Sequence, residues 1–126
     1  QGTLLLTDPT DVVVRKIRSA VTDSGREVRR DGEGKEGIAN LIEIMAIATD
    51  RTPDDVEGSY DGAGYGQFKS DVADAVEAMI GPMRDRYLEL RADEAHLVEV
   101  LAAGAERAHA YAGPKVAEIK RRMGFV

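Results

Sequence analysis

The side chains able to do chemistry are few and scattered. The two histidines, His96 and His109, are thirteen residues apart in one helical pattern. At 1.5 Å per residue that puts them about 20 Å apart, too far to share a metal. The paired carboxylates Asp54-Asp55 and Asp93-Glu94 stand at helix starts, where the positive end of the helix dipole accounts for them without catalysis. Ser19, Ser24, Ser59 and Ser70 have no context resembling a nucleophile elbow. The absence of cysteine removes disulfides, cysteine-ligated zinc and thiol catalysis together. Gly62-Ala63-Gly64-Tyr65-Gly66-Gln67-Phe68-Lys69 is the most compressed stretch, but its Gly-x-Gly-x-Gly order fits neither the dinucleotide nor the P-loop spacing, and no strand pattern precedes it. It reads as a shaped corner between two helices, with Tyr65 and Phe68 as apolar anchors at the second helix start. Composition and spacing alone therefore support no catalytic and no metal site.

Cations offer a different chemistry, the neutralisation of phosphate. The net charge of −6 argues against a general nucleic-acid binder. Its distribution is uneven: residues 1–35 carry seven basic and six acidic side chains, and residues 36–126 carry ten and seventeen. A local basic face near the start of the chain is compatible with that balance. Arg26, Arg29, Arg30 and Lys35 concentrate in a polar stretch, residues 22–36, which contains Ser24-Gly25 and Gly32-Glu33-Gly34 and few apolar residues. It reads as a loop of about fifteen residues, long for one domain, and long loops often carry recognition surfaces.

The elements that must position these groups are helical. A chain of 126 residues supports one domain with a core, and its low aromatic content (5%) and high charge (32%) fit an all-α chain, a compact bundle of about five to seven helices. Residues 2–6 read as an extended lead-in. Asp8 and Pro9 predict a helix start, Asp8 as N-cap and Pro9 in the first helical position, followed by an inward stripe of Val13, Ile17, Ala20 and Val21. From Gly37 onward Ile38, Leu41, Ile42, Ile44, Met45 and Ile47 describe a helix buried on most sides, in which Asn40 needs a hydrogen bond and fixes the preceding loop to the core. Thr52, Pro53 and Asp55 start a short helix running to about Ser59. After the glycine corner, Phe68, Val72, Ala75, Val76, Met79, Ile80 and Met83 form the next stripe, continued by Tyr87 and Leu90, with a kink or break expected at Gly81-Pro82. Asp93 caps a further helix with a small-residue seam, and Gly113-Pro114 predicts a break before a basic terminal helix that ends at Gly124. No run of eighteen apolar residues and no signal-peptide core is visible, so the expectation is a cytoplasmic chain with no membrane association. The start at Gln1 suggests a piece of something longer.

Five blocks in one order carry a resemblance: Ala20-Val21-Thr22-Asp23-Ser24, Lys35-x-Gly37-Ile38-x-Asn40-Leu41, Gly62-x-Gly64-Tyr65-Gly66-x-Phe68-Lys69, Gly104-Ala105-Glu106-Arg107-Ala108, and Met123-Gly124. Together they resemble the C-terminal part of bacterial tryptophanyl-tRNA synthetases over essentially the whole chain, beginning just after the family's KMSKS-type loop. The chain departs from the family's usual pattern at Arg30, where an aromatic is frequent, at Glu36, where proline is common, and at Gly113-Pro114.

The resemblance implies a class I synthetase C-terminal fold of the anticodon-binding type, with residues 1–7 leading in from a catalytic Rossmann domain and residues 8–126 forming the helical domain. It implies an enzyme that activates L-tryptophan with ATP and magnesium and transfers it to tRNA(Trp), as a homodimer. The HIGH-like and KMSKS-like motifs have no counterpart in these residues, so no catalytic residue is expected. The helical part is expected to recognise the anticodon region and to move against the catalytic domain. Arg26, Arg29, Arg30, Lys35 and Lys69 are the expected tRNA contacts, with Lys69 exposed on the glycine corner. Asp23, Asn40 and Tyr65 are the expected domain-interface residues, and Tyr65 and Phe68 could stack on bases. The competing reading is a stand-alone helical module that binds a protein partner through its acidic helices.

Overall fold

The computed structural model describes residues 2–125; Gln1 and Val126, the outer ends of the expected lead-in and helical domain, lie outside them. Five α-helices make up the regular structure among the described residues: α1 (Thr10–Arg18), α2 (Glu36–Thr49), α3 (Pro53–Ser59), α4 (Tyr65–Ala92) and α5 (Glu94–Arg122). The all-α expectation is met at its lower helix count. The chain divides into two units, residues 1–86 and 87–126.

The first unit holds the core. Val13 and Ile17 of α1, Ile38, Leu41, Ile42, Met45 and Ala46 of α2, Val56 of α3, and Phe68, Val72, Ala73, Val76 and Ile80 of α4 are buried in one cluster. Their spacing of three and four residues is what puts them on one face of each helix. Tyr60 meets Phe68 edge-on, with ring centroids 4.8 Å apart, a favoured aromatic geometry. Its hydroxyl donates to Asp71 at 2.8 Å. Burial, followed by that bond to the carboxylate, pushes the Tyr60 phenol up to about 12.

Several local expectations shift. Pro9, not Asp8, flanks the start of α1, its carbonyl accepting from Val12 and Val13. Asp8 instead accepts from the Leu5 N–H at 2.9 Å and from Lys16 at 2.6 Å, closing a turn that bends the lead-in before the helix. Thr52 caps α3 as expected, accepting from the Asp55 N–H at 3.2 Å with Pro53 in the first turn. Val21 is 87% exposed, because the chain leaves α1 at Ser19 and the stripe ends with the helix. Ile47 and Asn40 also face outward, so α2 is buried on one broad face and not all round.

The α4 helix runs unbroken through Pro82. A proline there loses one backbone bond and crowds the preceding turn. Side chains pair across the proline: Arg84, only 9% exposed, pairs with Glu77 and donates to the Asp8 carbonyl and the Thr10 hydroxyl, both at 2.9 Å. Ala73 and Arg84 take the inward positions expected of Met79 and Met83, which are exposed. Reciprocal pairing holds the Glu77 carboxyl below its usual range and raises the Arg84 guanidinium.

In the second unit Asp93 caps α5, accepting from the His96 N–H at 3.0 Å. The expected break at Gly113-Pro114 is absent: α5 is continuous, with alanines, the strongest helix formers, on both sides of the pair. No residue of α5 is buried. The helix ends in a Schellman turn, in which the Gly124 N–H bonds the Arg121 carbonyl at 3.2 Å and the Phe125 N–H bonds the Lys120 carbonyl at 3.0 Å. Gly124 has φ +76, the left-handed conformation such a turn requires.

Candidate nucleic-acid interface

The long polar loop, residues 20–35, is tied down at both ends to the first turns of α4. At its centre is a three-membered cluster. The Tyr65 hydroxyl donates to Asp23 at 2.7 Å and accepts from Lys35 Nζ at 2.7 Å, and Lys35 lies 3.5 Å from Asp23. Lys35 also stands 5.4 Å from the Tyr65 ring centroid and donates to the Glu27 carbonyl at 3.1 Å. Asp23 accepts from the Gly25 N–H at 2.6 Å. The Tyr65 bond, with help from Gly25 and Lys35, holds the Asp23 carboxyl below its usual range. The same hydroxyl, with Asp23, raises the Lys35 ammonium, and burial pushes the Tyr65 phenol up. Each shift stabilises the same state: carboxylate, neutral phenol, ammonium.

Lys69 completes the latch. Its Nζ donates to the Ala20 carbonyl at 2.8 Å and to the Thr22 hydroxyl at 3.0 Å. The expectation of an exposed Lys69 is therefore corrected: α4 uses it to hold the backbone where the loop leaves α1. At Gly37 an added Cβ would lie 2.2 Å from the Val21 carbonyl, so only glycine lets α2 approach the loop backbone this closely. The glycine corner itself is narrower than expected. Only Gly62 of its three glycines has positive φ, while Gly64 and Gly66 lead into and lie within α4.

Arg30 is likewise engaged. Its backbone N–H and Nε donate to Glu57 at 2.6 and 3.1 Å, its outer nitrogen pairs with Asp54, and Glu43 lies 3.6 Å away. The Glu57 bond, then the surrounding carboxylates, raises its pKa. Val28, inside the same loop, is 3% exposed and plugs the core. Arg29 stands 3.8 Å from Asp61, and Arg26 is exposed without a partner among the described residues. Beside them is a cleft of about 430 Å³ whose lining includes Glu27, Asp54, Glu57 and Asp61 against Arg29 alone, a charge balance that opposes phosphate. The Asp23, Lys35 and Tyr65 positions thus come together, Lys69 and Arg30 brace the loop from either side, and Asn40 stands apart with an exposed side chain. Phe68 is fully buried and cannot stack on a base.

Sequence reasoning missed the Arg84 cluster and the Val28 plug. Arg84 was legible as the charged member of an apolar stripe four residues after Ile80; a lone valine in a polar loop carries no comparable signal. Among the described residues no group of three or more metal-ligating side chains is placed to hold an ion, and no helix is long and apolar enough to cross a membrane.

The first unit is thus all-helical, with a charged loop latched by Tyr65 and Lys69 from the first turns of a long helix. The sequence pattern of class I tRNA synthetases (W and Y) matches residues 1–81, and the chain belongs to that family. The chain is 46% identical to tryptophan--tRNA ligase 1 of Streptomyces coelicolor over 99% of its own length and 37% of the relative. It is 43% identical to the tryptophan--tRNA ligase of Mycobacterium leprae, over 99% of its length and 36% of the relative. The figures for the Enterococcus faecalis tryptophan--tRNA ligase are 40%, 99% and 37%. The chain thus spans little more than a third of the length of these relatives.

Proposed function

We propose that these residues are the C-terminal helical part of a tryptophan--tRNA ligase, which attaches L-tryptophan to tRNA(Trp) using ATP and magnesium, and that this part recognises the anticodon region and moves against the catalytic domain. The observation that carries the reading is the 46% identity to a tryptophan--tRNA ligase across 99% of the chain. Likeness of that extent spans the loop, its latch and the terminal helix together. In this reading ATP, magnesium and tryptophan are handled by a Rossmann domain, the enzyme is a cytoplasmic homodimer, and the latched loop keeps the helical part rigid enough to transmit tRNA contact to the active site.

The test is a replacement. Exchanging the matching stretch of the Streptomyces coelicolor relative for this chain should leave tryptophan charging of tRNA within about tenfold of the parent, as a change of roughly 1.4 kcal/mol or less in the transition-state contacts would. This chain alone should catalyse no tryptophan-dependent ATP–pyrophosphate exchange. Exchange activity in the isolated chain, or a replacement enzyme that forms the adenylate but cannot charge tRNA at any concentration, would overturn the reading.

A further inference from the structure

Arg26 apart, the cations of the loop are engaged, and a group of cations without partners among the described residues lies at the end of α5. Residues 115–125 hold Lys115, Lys120, Arg121 and Arg122 against a single carboxylate, Glu118, in a chain whose net charge is −6. Glu118 pairs with Arg122 at 2.5 Å, which leaves Lys115, Lys120 and Arg121 without a partner among the described residues. Cations in a last turn also complement the helix dipole, which is reason enough for Lys120 and Arg121 to be near the end. The dipole gives no reason for what lies between them. The Schellman turn folds Phe125 back along the helix, and a cleft of about 670 Å³ opens between its ring and the α5 flank, floored by Ala112 and Val116 and rimmed by His109, Lys120 and Arg121. Phe125 is 71% exposed, so folding of the chain does not use its ring.

An exposed aromatic ring and an apolar helix flank beside two cations without partners among the described residues match a base attached to its phosphate: the ring and flank offer stacking surface, and the cations neutralise charge. We propose that this cleft binds an unstacked nucleotide of single-stranded RNA, its base between Phe125 and the α5 floor and its phosphates on Lys120 and Arg121. It rests on the ligase reading only in naming the RNA as the anticodon loop. Stacking by itself tolerates any base, so the cleft grips the splayed strand and leaves sequence discrimination to other contacts.

Fluorescence anisotropy with this chain tests it, using three labelled RNAs: a stem-loop with the tryptophan anticodon, the same stem closed into a duplex without unpaired bases, and an oligouridine strand. The stem-loop should bind at least about tenfold more tightly than the duplex. Phe125→Ala should weaken stem-loop binding about tenfold with the salt dependence unchanged, and Phe125→Tyr should restore it. Lys120→Ala with Arg121→Ala should lower the slope of log affinity against log salt by about 1 to 2. These side chains are exposed, so circular dichroism should be unaltered. Stem-loop binding that ignores all of these substitutions overturns the proposal and leaves the ligase reading standing, and so does equal affinity for the duplex. No binding of any RNA also overturns it. Oligouridine binding as tight as the stem-loop, with the same losses on substitution, supports the cleft and counts against the anticodon assignment.

Discussion

The chain has two phenylalanines and two concentrations of cations, and the two units treat them oppositely. In residues 1–86 Phe68 is fully buried, and Arg30, Lys35 and Lys69 are each turned inward onto carboxylates, a phenol or backbone carbonyls. In residues 87–126 Phe125 is exposed, and Lys115, Lys120 and Arg121 have no partner among the described residues. A cation concentrated in sequence is therefore poor evidence of a binding surface until its acceptors are known. The loop that reads as a recognition element has most of its cations engaged, by Asp23 within it and by α2, α3 and α4 around it, and the end of α5, which reads as an ordinary helix terminus, keeps its charge available.

Truncating the two phenylalanines is the strongest way to break that contrast. Phe68→Ala removes the largest fully buried side chain, along with the edge-on Tyr60 contact, and should destabilise the chain by about 3–5 kcal/mol. Phe125→Ala should fall within about 0.5 kcal/mol of the parent in urea unfolding, as exposed positions do. Similar losses at both positions would mean that the second unit buries a core of its own.

A smaller effect comes from acid. Asp8, Asp23, Asp55 and Glu77 all have carboxyls held below their usual range, chiefly by hydrogen bonds from Lys16, Tyr65, Thr52 and Arg84 in turn. A depressed folded pKa adds stability that is fully present above the unfolded value and is lost as pH falls through the folded one. Thermal stability should therefore hold down to about pH 5 and fall progressively below about pH 4, where unfolded Asp and Glu take up protons. Tyr65→Phe removes the donor to Asp23 and should flatten the part of the fall that Asp23 contributes. All four groups lie in the first unit, so RNA binding at the α5 terminus should keep its salt slope across the same window. A slope that changes in step with stability would tie the two regions together.

What was legible in the sequence follows the same division. Local signals survived: the Thr52 and Asp93 caps, the long loop, and the stop at Gly124 depend on residues within a turn of one another. The two internal prolines misled because local cost was taken as decisive, while both helices run through them, with Arg84 paired to Glu77 across Pro82 and alanines flanking Gly113-Pro114. The fate of the loop cations was illegible for a stronger reason. Arg30 draws its partners from two separate helices, Glu43 on α2 and Asp54 and Glu57 on α3, and Lys69 binds a backbone carbonyl, which every residue possesses. The Lys35-x-Gly37 spacing did report something physical: the lysine reaches Tyr65 and the glycine admits the Val21 carbonyl.

The subtlest test acts on geometry alone. Gly124→Ala touches no charge and no ring, and space is open around the added methyl. The φ of +76 nevertheless strains any β-carbon, by roughly 1 kcal/mol, enough to populate conformations in which the last turn frays and Phe125 leaves the α5 flank. Unfolding of the first unit, which does not include this turn, should be unchanged, while RNA affinity should fall toward that of Phe125→Ala. Gly124→Asn should recover most of the loss, because asparagine enters the left-handed region more readily than alanine. Alanine and asparagine are distinguished here only by backbone preference. An affinity equally reduced in both would show that the turn does not aim the ring, and the cleft would then owe its binding to the cations alone.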